Sequence, residues 1–349
     1  MRSITRKRSR TWRLAAAVAA TALALAACNG DDDVVDDVDD VVDDDVVDDD
    51  EDDDEAAADG QAFLTLATGS TGGTYFPLGG AMAGVWNDNL DAARVNTQSS
   101  GASVENLRLL DGGEVDMILA VNGVADTAAA GTGEFDGTPL DFVTIANIYG
   151  EVTQIVATAD SGITEIADLA GARVALGPPG SGTEVIARTI LETQGIDPDN
   201  DITPFNDTFG EAADGLRDGR LDAAFAILAL PAGSIEEVAT SVDITLVSIP
   251  DDLMSTLLAD DPTLSELTIE AGTYSGQDDD AVTVTNWATL YTTADLSDDL
   301  VYELTRVLFE ETESIANAVA VGNQIQLDTA LDGNTIDVHP GAQRFYDEQ

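Results

Sequence analysis

The stretch that decides the fold is AFLTLATGSTGGTYFPLGG, residues 62–80. Its apolar start predicts a buried β-strand over residues 62–67. The glycine-rich segment 68–73 predicts a tight turn, and the pattern that follows predicts a helix over residues 77–87. A strand that passes through a glycine turn into a helix is the building unit of an α/β fold.

The same order returns in RVALGPPGSGTE, residues 173–184, with a strand over 173–176, a turn over 177–182 and a helix over 183–193. Ser103 is the predicted N-cap of a further helix. The remaining patterns predict strands over 93–98, 115–121, 154–158, 221–228 and 282–290, and helices over 103–110, 166–169, 211–217 and 298–316. This alternation predicts a mostly parallel sheet in two α/β lobes.

The two glycine turns have the chemistry of an anion site. Glycine lets the backbone approach a ligand closely, and the start of a helix offers unpaired N–H groups with partial positive charge. Neither turn carries the Gly-Lys-Ser/Thr of a nucleotide-binding loop, because lysine is absent from both. The alternative, that each is a tight turn without a ligand, remains open from sequence alone.

The excess of acidic over basic residues limits the kinds of molecule that this protein is expected to bind. The chain has 67 acidic and 14 basic residues, a net charge of −53. Removing the 19 acidic and six basic residues before position 60 leaves 48 and eight, so residues 60–349 carry about −40, and all eight cations are arginine. This excess predicts a salt-adapted, halophilic protein and argues against nucleic-acid binding, which needs a basic face.

The first 59 residues predict export and attachment to a membrane. Residues 1–27 combine a basic start, an apolar run and small residues at the end, as in an export signal. The segment Leu25-Ala26-Ala27-Cys28 resembles the lipobox of lipoprotein signal peptides, which implies lipidation of Cys28. The alternative is an ordinary secretory signal with an incidental cysteine. Residues 28–59 are rich in Asp and predict an extended, disordered tether, with diffuse counterions favoured over a specific calcium site.

Catalytic residues are scarce. His339 is the single histidine and is predicted to lie in a loop near the end of the chain. Ser181 stands in Gly-Ser-Gly and not in the G-x-S-x-G elbow of a hydrolase. Transition-metal sites need His or Cys, so no metal and no cofactor are expected. We therefore expect no enzymatic activity, and a catalytic pair of carboxylates for glycoside cleavage is the alternative that the many acidic residues leave open.

Five segments resemble the TAXI-type solute-binding proteins of TRAP transporters, which are ATP-independent, ion-coupled uptake systems. The resemblance runs in order over nearly all of residues 62–346. The matching segments are ATGSTGGTYFPLGG at 67–80, SVENLRLL at 103–110, VALGPPGSGTE at 174–184, AGTYSGQD at 271–278, and LDG at 331–333 with HPGA at 339–342.

The resemblance implies a type II periplasmic-binding fold, in which two α/β lobes joined by a hinge close on a small carboxylate such as glutamate, glutamine or a dicarboxylate. Lobe 1 would comprise residues 60–150, lobe 2 residues 151–282, and residues 283–349 would return to lobe 1 with the C-terminal helices. The implied partner is a membrane permease with fused small and large subunits. The implied ligand-binding residues are Gly72, Gly73, Thr74, Tyr75, Gln98, Ser99, Ser100, Asn122, Pro179, Gly180, Ser181, Gly182 and Thr183.

Two departures from the family pattern concern the solute. Residues 227–231 read Ile-Leu-Ala-Leu-Pro where such proteins show a hydroxyl-rich Thr-Ala-Gly-Thr-Pro, and Asn122 is followed by Gly123. No arginine can be named that would clamp a carboxylate, because Arg94 and Arg173 are predicted at the starts of strands. The alternative function is a sensor that binds a ligand and signals to a membrane partner.

Overall fold

The computed structural model describes residues 61–349. The predicted export signal at 1–27, the lipidation of Cys28 and the acidic tether at 28–59 lie outside the described residues. In the described part, no helix combines the length and the apolar character needed to cross a bilayer.

Ten strands form one sheet in the order β2-β1-β3-β10-β4-β7-β5-β6, with β8 paired to β4 and β9 paired to β10. The strands are β1 (Ala62–Ala67), β2 (Ala93–Gln98), β3 (Met117–Val121), β4 (Val143–Thr158), β5 (Arg173–Ala175), β6 (Thr203–Phe205), β7 (Ala223–Leu228), β8 (Ile244–Leu246), β9 (Ser265–Ile269) and β10 (Ala281–Thr292). The helices are α1 (Tyr75–Asn89), α2 (Ser103–Asp111), α3 (Asn122–Ala130), α4 (Gly182–Gln194), α5 (Phe209–Arg217), α6 (Gly233–Ala239), α7 (Asp251–Asp260), α8 (Asp298–Glu310), α9 (Thr312–Ala318) and α10 (Pro340–Asp347).

The sheet has two parallel halves with two long antiparallel strands between them. In the first half β1 pairs in parallel with β2 and β3, and in the second half β5 pairs in parallel with β6 and β7. Strands β4 and β10 are antiparallel to each other and to the halves they join. The prediction of a mostly parallel sheet is therefore correct for each half and wrong for the centre.

Strand β4 is the largest departure from the sequence prediction. It runs from Val143 to Thr158, whereas the pattern predicted a strand only over residues 154–158. Its pairing partner β10 is also long, and the two strands cross from one half of the sheet to the other. The predicted lobe boundaries at residues 150 and 282 fall inside these two strands. The division into lobes stays a proposal, because the described residues form one compact unit.

The core holds the helices firmly to the sheet. Helix α1 packs on the first half through Trp86, which is buried and donates its indole N–H to the carbonyl of Leu304 in α8 at 2.9 Å. The predicted helix over 298–316 breaks at Glu311 into α8 and α9. One buried cluster contains side chains from both halves, among them Val121 and Ile186, so the halves share a core on one face of the sheet.

The prediction that Ser103 caps α2 is wrong. Ala102 occupies the N-cap position with a φ of 75°, and Ser103 is the first helical residue. The hydroxyl of Ser103 instead accepts the backbone N–H of Val121 at 3.1 Å, which ties α2 to the end of β3. His339, predicted in a loop, is buried at the start of α10, where its side chain caps that helix.

Candidate solute-binding site

A narrow cavity of about 30 Å³ lies where the two halves of the sheet meet. It is bounded by the carboxyl ends of β1, β3, β5 and β7 and by the starts of α1, α2, α4 and α5. The lining residues are Gly69, Ser70, Gly73, Thr74, Tyr75, Gly101, Ala102, Ser103, Val121, Tyr149, Glu151, Pro178, Ser181, Gly182, Thr183, Phe209, Ile227 and Leu228. Ligands of open α/β sheets bind at this edge, beyond the carboxyl ends of the strands.

The first glycine turn leaves the start of α1 open. No side chain caps this helix, and its first turn contains no acidic residue. The first N–H groups of a helix have no partner within it. The backbone N–H groups of Tyr75 and Phe76 are therefore available, and the dipole of the helix favours a negative group there.

The second glycine turn is satisfied by the protein only in part, since the N–H groups of Gly182 and Thr183 have no acceptor among residues 61–349. Ser181 caps α4, its Oγ accepting the N–H of Glu184 at 3.0 Å. The carboxylate of Glu184 accepts the N–H of Gly180 at 3.0 Å. The hydroxyl of Thr183 accepts the N–H of Ile227 at 3.2 Å, which fixes α4 to β7. The hydroxyl protons of Ser181 and Thr183 remain free to donate into the cavity.

The other two helix starts are also occupied. The carbonyl of Gly180 accepts the N–H groups of Val104 and Glu105 at the start of α2, at 3.0 and 3.3 Å. Helix α5 has a complete capping box between Thr208 and Glu211. Among the four helices that begin at the cavity, α1 is thus the one whose start has no cap of this kind, while the first two N–H groups of α4 and α5 also lack an acceptor in the described part of the chain.

Strand β4 supplies the floor of the cavity and places a carboxyl group there. Glu151 is only 2% exposed and accepts one hydrogen bond, from the hydroxyl of Tyr149 to Oε1 at 2.7 Å. Burial raises the pKa of Glu151 to about 7, an effect that the hydroxyl groups of Tyr149 and Tyr75 beside it partly offset. Burial and the nearby Glu151 raise the pKa values of Tyr75 and Tyr149 well above the ordinary value.

Unpartnered polar atoms concentrate at this cavity. Within residues 61–349, four buried side-chain oxygens have no hydrogen-bond partner, and three of them belong to lining residues. These three are Ser70 Oγ, the Tyr75 hydroxyl and Glu151 Oε2. Leaving such groups buried and unpaired costs about 1–3 kcal/mol each. Two of the three, the Tyr75 hydroxyl and Glu151, lie beside each other, so the wall of the cavity carries a compact group of polar atoms.

The two halves touch across the mouth of the cavity. The N–H of Ala229 at the end of β7 donates to the hydroxyl of Thr74 at 3.1 Å. A Cβ added to Gly101 would lie 2.5 Å from the carbonyl oxygen of Pro179, and one added to Gly72 would lie 2.8 Å from the backbone nitrogen of Gly210. Only glycine permits these approaches, and they close the cavity on its outer side.

The structure brings six of the predicted site residues to the cavity wall. These are Gly73, Thr74, Tyr75, Ser181, Gly182 and Thr183. Gly72 and Gly180 lie in the contact between the halves, and Pro179 is exposed beside it.

The four remaining predicted residues lie away from the wall. Gln98 and Ser99 are exposed at the end of β2, which is an edge strand, and the Ser100 hydroxyl bonds to Asn106. Asn122 is buried, and its side-chain oxygen accepts the N–H of Trp287 at 3.1 Å, so it holds β10 in place.

Sequence reasoning missed the residues of the floor. Tyr149 and Glu151 lie in the part of β4 that was not recognised as a strand, and Phe209 stands at the start of α5. A usable signal was present, because a lone glutamate in the apolar run IYGEV at 148–152 is unusual for an exposed loop.

The lining residues carry no positive side chain in the part of the chain that the structure describes. Arg173 lies elsewhere and pairs with Asp222 at 2.6 Å, and Arg94 donates to backbone carbonyls beside its own strand. An anion in the cavity would therefore be bound by N–H and O–H groups.

Solved structures show a related fold at low sequence identity. PhnD1 from Prochlorococcus marinus (MIT 9301), solved in complex with methylphosphonate, is 10% identical over 76% of this chain and 91% of its own, with a TM-score of 0.52. A binding protein component of an ABC phosphonate transporter from Pseudomonas aeruginosa is 13% identical over 76% and 80%, with a TM-score of 0.49. The alkanesulfonate-binding protein SsuA from Xanthomonas axonopodis pv. citri, bound to MOPS, is 14% identical over 82% and 84%, with a TM-score of 0.46.

The architecture is the mixed α/β fold of type II periplasmic binding proteins, as the sequence predicted. Residues 66–349, which include both glycine turns and the floor strand, match the profile of the NMT1-like family. This chain therefore belongs to the NMT1-like family.

Proposed function

We propose that this protein is an extracytoplasmic receptor that binds a small carboxylate solute and delivers it to a TRAP-type permease. The observation that carries the proposal is the narrow cavity at the uncapped start of α1, lined by three buried oxygens that lack partners. The solute's carboxylate would accept the N–H groups of Tyr75 and Phe76. Free hydroxyl protons of Ser181 and Thr183 would complete its hydrogen bonds from the other half.

The geometry favours binding over catalysis. His339, the residue that a Ser-His system would need, does not line the cavity. Its Nδ1 accepts the N–H of Gly341 at 3.0 Å and its Nε2 lies 3.0 Å from the carbonyl of Leu296, so both ring nitrogens are engaged. Burial also lowers the pKa of His339. Its part in the protein is to cap α10.

Capture would proceed by closure of the two sheet halves. Strands β4 and β10 connect the halves, and the contacts of Thr74, Gly101 and Gly180 bridge the mouth. A solute that bridges both walls adds hydrogen bonds that exist only in the closed arrangement, and so shifts the population toward it. The proposed lobes of residues 60–150 with 283–349 and 151–282 correspond to this division.

The resemblance to TAXI proteins supports the location and the partner. The proposed export signal at 1–27 and lipid on Cys28 would hold the protein at the outer face of the cytoplasmic membrane. The acidic tether at 28–59 would let it reach a permease. Such a receptor supplies solute only, and the permease couples uptake to an ion gradient.

The test of solute binding is thermal denaturation of the purified protein in molar salt, with amino acids, dicarboxylates and 2-hydroxy acids as probes. A solute at about 100 times its Kd stabilises the folded state by about 2.7 kcal/mol. If no carboxylate in the panel raises the Tm, the proposed solute class is wrong.

The test of the transport partner uses membrane vesicles that contain the permease. Uptake of the bound solute should require added receptor and an ion gradient and should not require ATP. Uptake that depends on ATP would rule out the TRAP assignment and leave the binding function intact.

A further inference from the structure

A second and larger cavity lies next to the proposed solute cavity. It has a volume of about 360 Å³, within the range of about 300–1,000 Å³ that is typical of small-molecule sites. Val121, Gly182 and Ile227 line both cavities and form the partition between them. A Cβ added to Gly182 would lie 2.8 Å from Cγ2 of Val121, so the partition is tightly packed. The larger cavity therefore needs an explanation of its own.

Two acidic side chains from different elements meet in this second cavity, Asp126 from α3 and Asp261 from the end of α7. Burial raises the pKa of Asp126, the hydroxyl of Thr335 lowers it, and the charge of Asp261 raises it further, so the two carboxyl groups are neighbours. Asp126 Oδ1 accepts the hydroxyl of Thr335. Asp261 Oδ1 accepts the N–H and the hydroxyl of Thr263 at 2.9 and 2.6 Å. Oδ2 of each carboxylate accepts no hydrogen bond from the described residues.

The protein supplies no counter-charge to this pair. No arginine of the described residues lines the cavity. Two neighbouring carboxylates disfavour each other's ionised form, and a cation placed between them relieves that effect. Within residues 61–349, no three or more His, Cys, Asp and Glu side chains are grouped so that they could hold a metal ion. The pair therefore favours a cation other than a metal.

Strand β10 adds an unsatisfied amide to the same cavity. The side chain of Asn286 lines it, is only 9% exposed, and makes no hydrogen bond with the described residues. A buried amide that served only the fold would be expected to have a partner. Because this amide borders the cavity, the missing partner is a group of a bound molecule.

The remaining wall is largely apolar. It is formed by Val124, Val185, Ile186, Leu257 and Leu264. An apolar wall beside a carboxylate pair suits a molecule with a cationic head and an aliphatic body, and it offers a hydrated inorganic ion no hydrogen bonds.

We propose that the second cavity binds a small organic cation, a protonated primary amine on a short aliphatic chain. Its ammonium group has three N–H donors, which suit the carboxylates of Asp126 and Asp261 and the carbonyl oxygen of Asn286. Its chain lies against Val124 and Leu257. The negative charge of the protein attracts such a ligand. This site is separate from the carboxylate site of the proposed function and goes beyond it.

The experiment is calorimetry on the purified protein, in sodium chloride at the lowest concentration that keeps it folded. The probes are n-butylamine and 1,4-diaminobutane, with 1-butanol as the uncharged match of the first and calcium chloride as an inorganic cation. At least one amine should give saturable binding, and this binding should weaken as the salt is raised, because salt screens the attraction. Neither 1-butanol nor calcium should bind.

Variants locate the amine in the cavity. Asp126→Asn should lower its affinity by about tenfold, the scale of one hydrogen bond to a charged group. Asn286→Leu should lower the affinity by about two- to tenfold and leave the Tm of the ligand-free protein equal or higher, because it removes an unsatisfied buried amide. Asp252→Asn is the matched control. It removes the same charge from an exposed position at the opposite end of α7 and should leave the affinity unchanged.

Several results would overturn the proposal. Absence of amine binding would do so, and so would binding of 1-butanol or calcium as tight as that of the amines. If Asp252→Asn weakens amine binding as much as Asp126→Asn does, the amine is attracted by the overall charge and not by this cavity. If Asp126→Asn does not fold, Asp261→Asn tests the same pair. None of these results depends on carboxylate binding, so the proposed function is decided separately.

Discussion

The two glycine turns look alike in sequence and differ in what they leave unsatisfied. Both follow a parallel strand and lead into a helix, α1 in one case and α4 in the other. In the second turn Ser181 accepts the N–H of Glu184 and Glu184 accepts the N–H of Gly180, whereas the start of α1 has no side-chain cap. A glycine motif therefore predicts the path of the backbone, and the side chains around it decide whether the helix start is free for a ligand.

The largest expected effect concerns the carboxyl group beside the first turn. Glu151 has a pKa of about 7 in the folded protein and an ordinary value of 4.5, so between these values the folded state binds the proton more tightly. Stability contributed by Glu151 is thus fully present below pH 4.5 and is lost as the pH rises through about 7. Glu151→Gln should therefore raise the free energy of unfolding, relative to wild type, by about 3 kcal/mol more at pH 8 than at pH 4.

The measurement is urea unfolding of the ligand-free proteins across this pH range in constant molar salt. Groups common to both proteins cancel in the difference. The titratable groups whose charge acts on Glu151 are Tyr75 and Tyr149, whose raised pKa values keep them neutral throughout. Stability curves that run parallel from pH 4 to pH 8 would mean that Glu151 is not buried as an isolated carboxyl group.

The next effect concerns the contact between the turns across the mouth. In Gly101→Ala the new Cβ would lie 2.5 Å from the carbonyl oxygen of Pro179 in the opposite half. Overpacking of this kind costs about 1–3 kcal/mol and would fall on the closed arrangement. Solute affinity should drop by about 10- to 100-fold, as measured by calorimetry.

The control for this variant is Gly80→Ala. Gly80 is exposed in α1, and a Cβ there meets nothing within 4 Å. Alanine is the better helix former by about 1 kcal/mol, so this variant should be slightly more stable and bind as the wild type does. Equal affinities for Gly101→Ala and Gly80→Ala would show that solute binding does not need the contact with Pro179.

The sequence alone predicts the two glycine turns but not the floor of the cavity, and the reason is physical. Gly69 to Gly73 and Gly177 to Gly182 carry local signals, because glycine and proline set backbone angles wherever they stand. The extent of β4 depends on its pairing with β10, which is more than 120 residues away in the chain and leaves no local pattern. The burial of Glu151 follows from that pairing and from the helices above it, so no window of sequence contains it.

The same limit applies to two of the site residues that the family resemblance implies. Gln98 and Asn122 each follow a strand that ends at the edge of the sheet where the cavity lies, but neither lines the cavity. Strand β2 is the outermost strand of its half, so Gln98 lies at the rim, and Asn122 turns away to hold Trp287. Position along a strand predicts which edge a residue occupies, and strand order decides how close it lies to the centre.

A third prediction concerns an acidic residue in the first turn of α1, a feature that α2, α4 and α5 already have. Phe76 is 37% exposed in the first turn of α1. In Phe76→Glu a carboxylate would occupy the helix start that we assign to the solute, and acidic residues there stabilise a helix by about 0.3–1 kcal/mol. Solute affinity should fall by about tenfold in calorimetry while the Tm of the ligand-free protein stays equal or rises. Phe76→Gln, which lacks the charge, should retain most of the affinity.

The smallest effect comes from making one substitution in both turns. Ser181 caps α4 and in our proposal also donates to the solute, so Ser181→Ala should lower the free energy of unfolding by about 1 kcal/mol and weaken solute binding as well. Ser70 Oγ has no partner, so Ser70→Ala should cost no stability in the ligand-free protein and should reduce solute affinity by about two- to tenfold, the value of one hydrogen bond. Urea unfolding and calorimetry on the two variants separate these effects. The contrary result is that Ser70→Ala destabilises the protein without affecting binding. In that case both turns only shape the backbone, and the difference in their hydrogen bonds has no functional meaning.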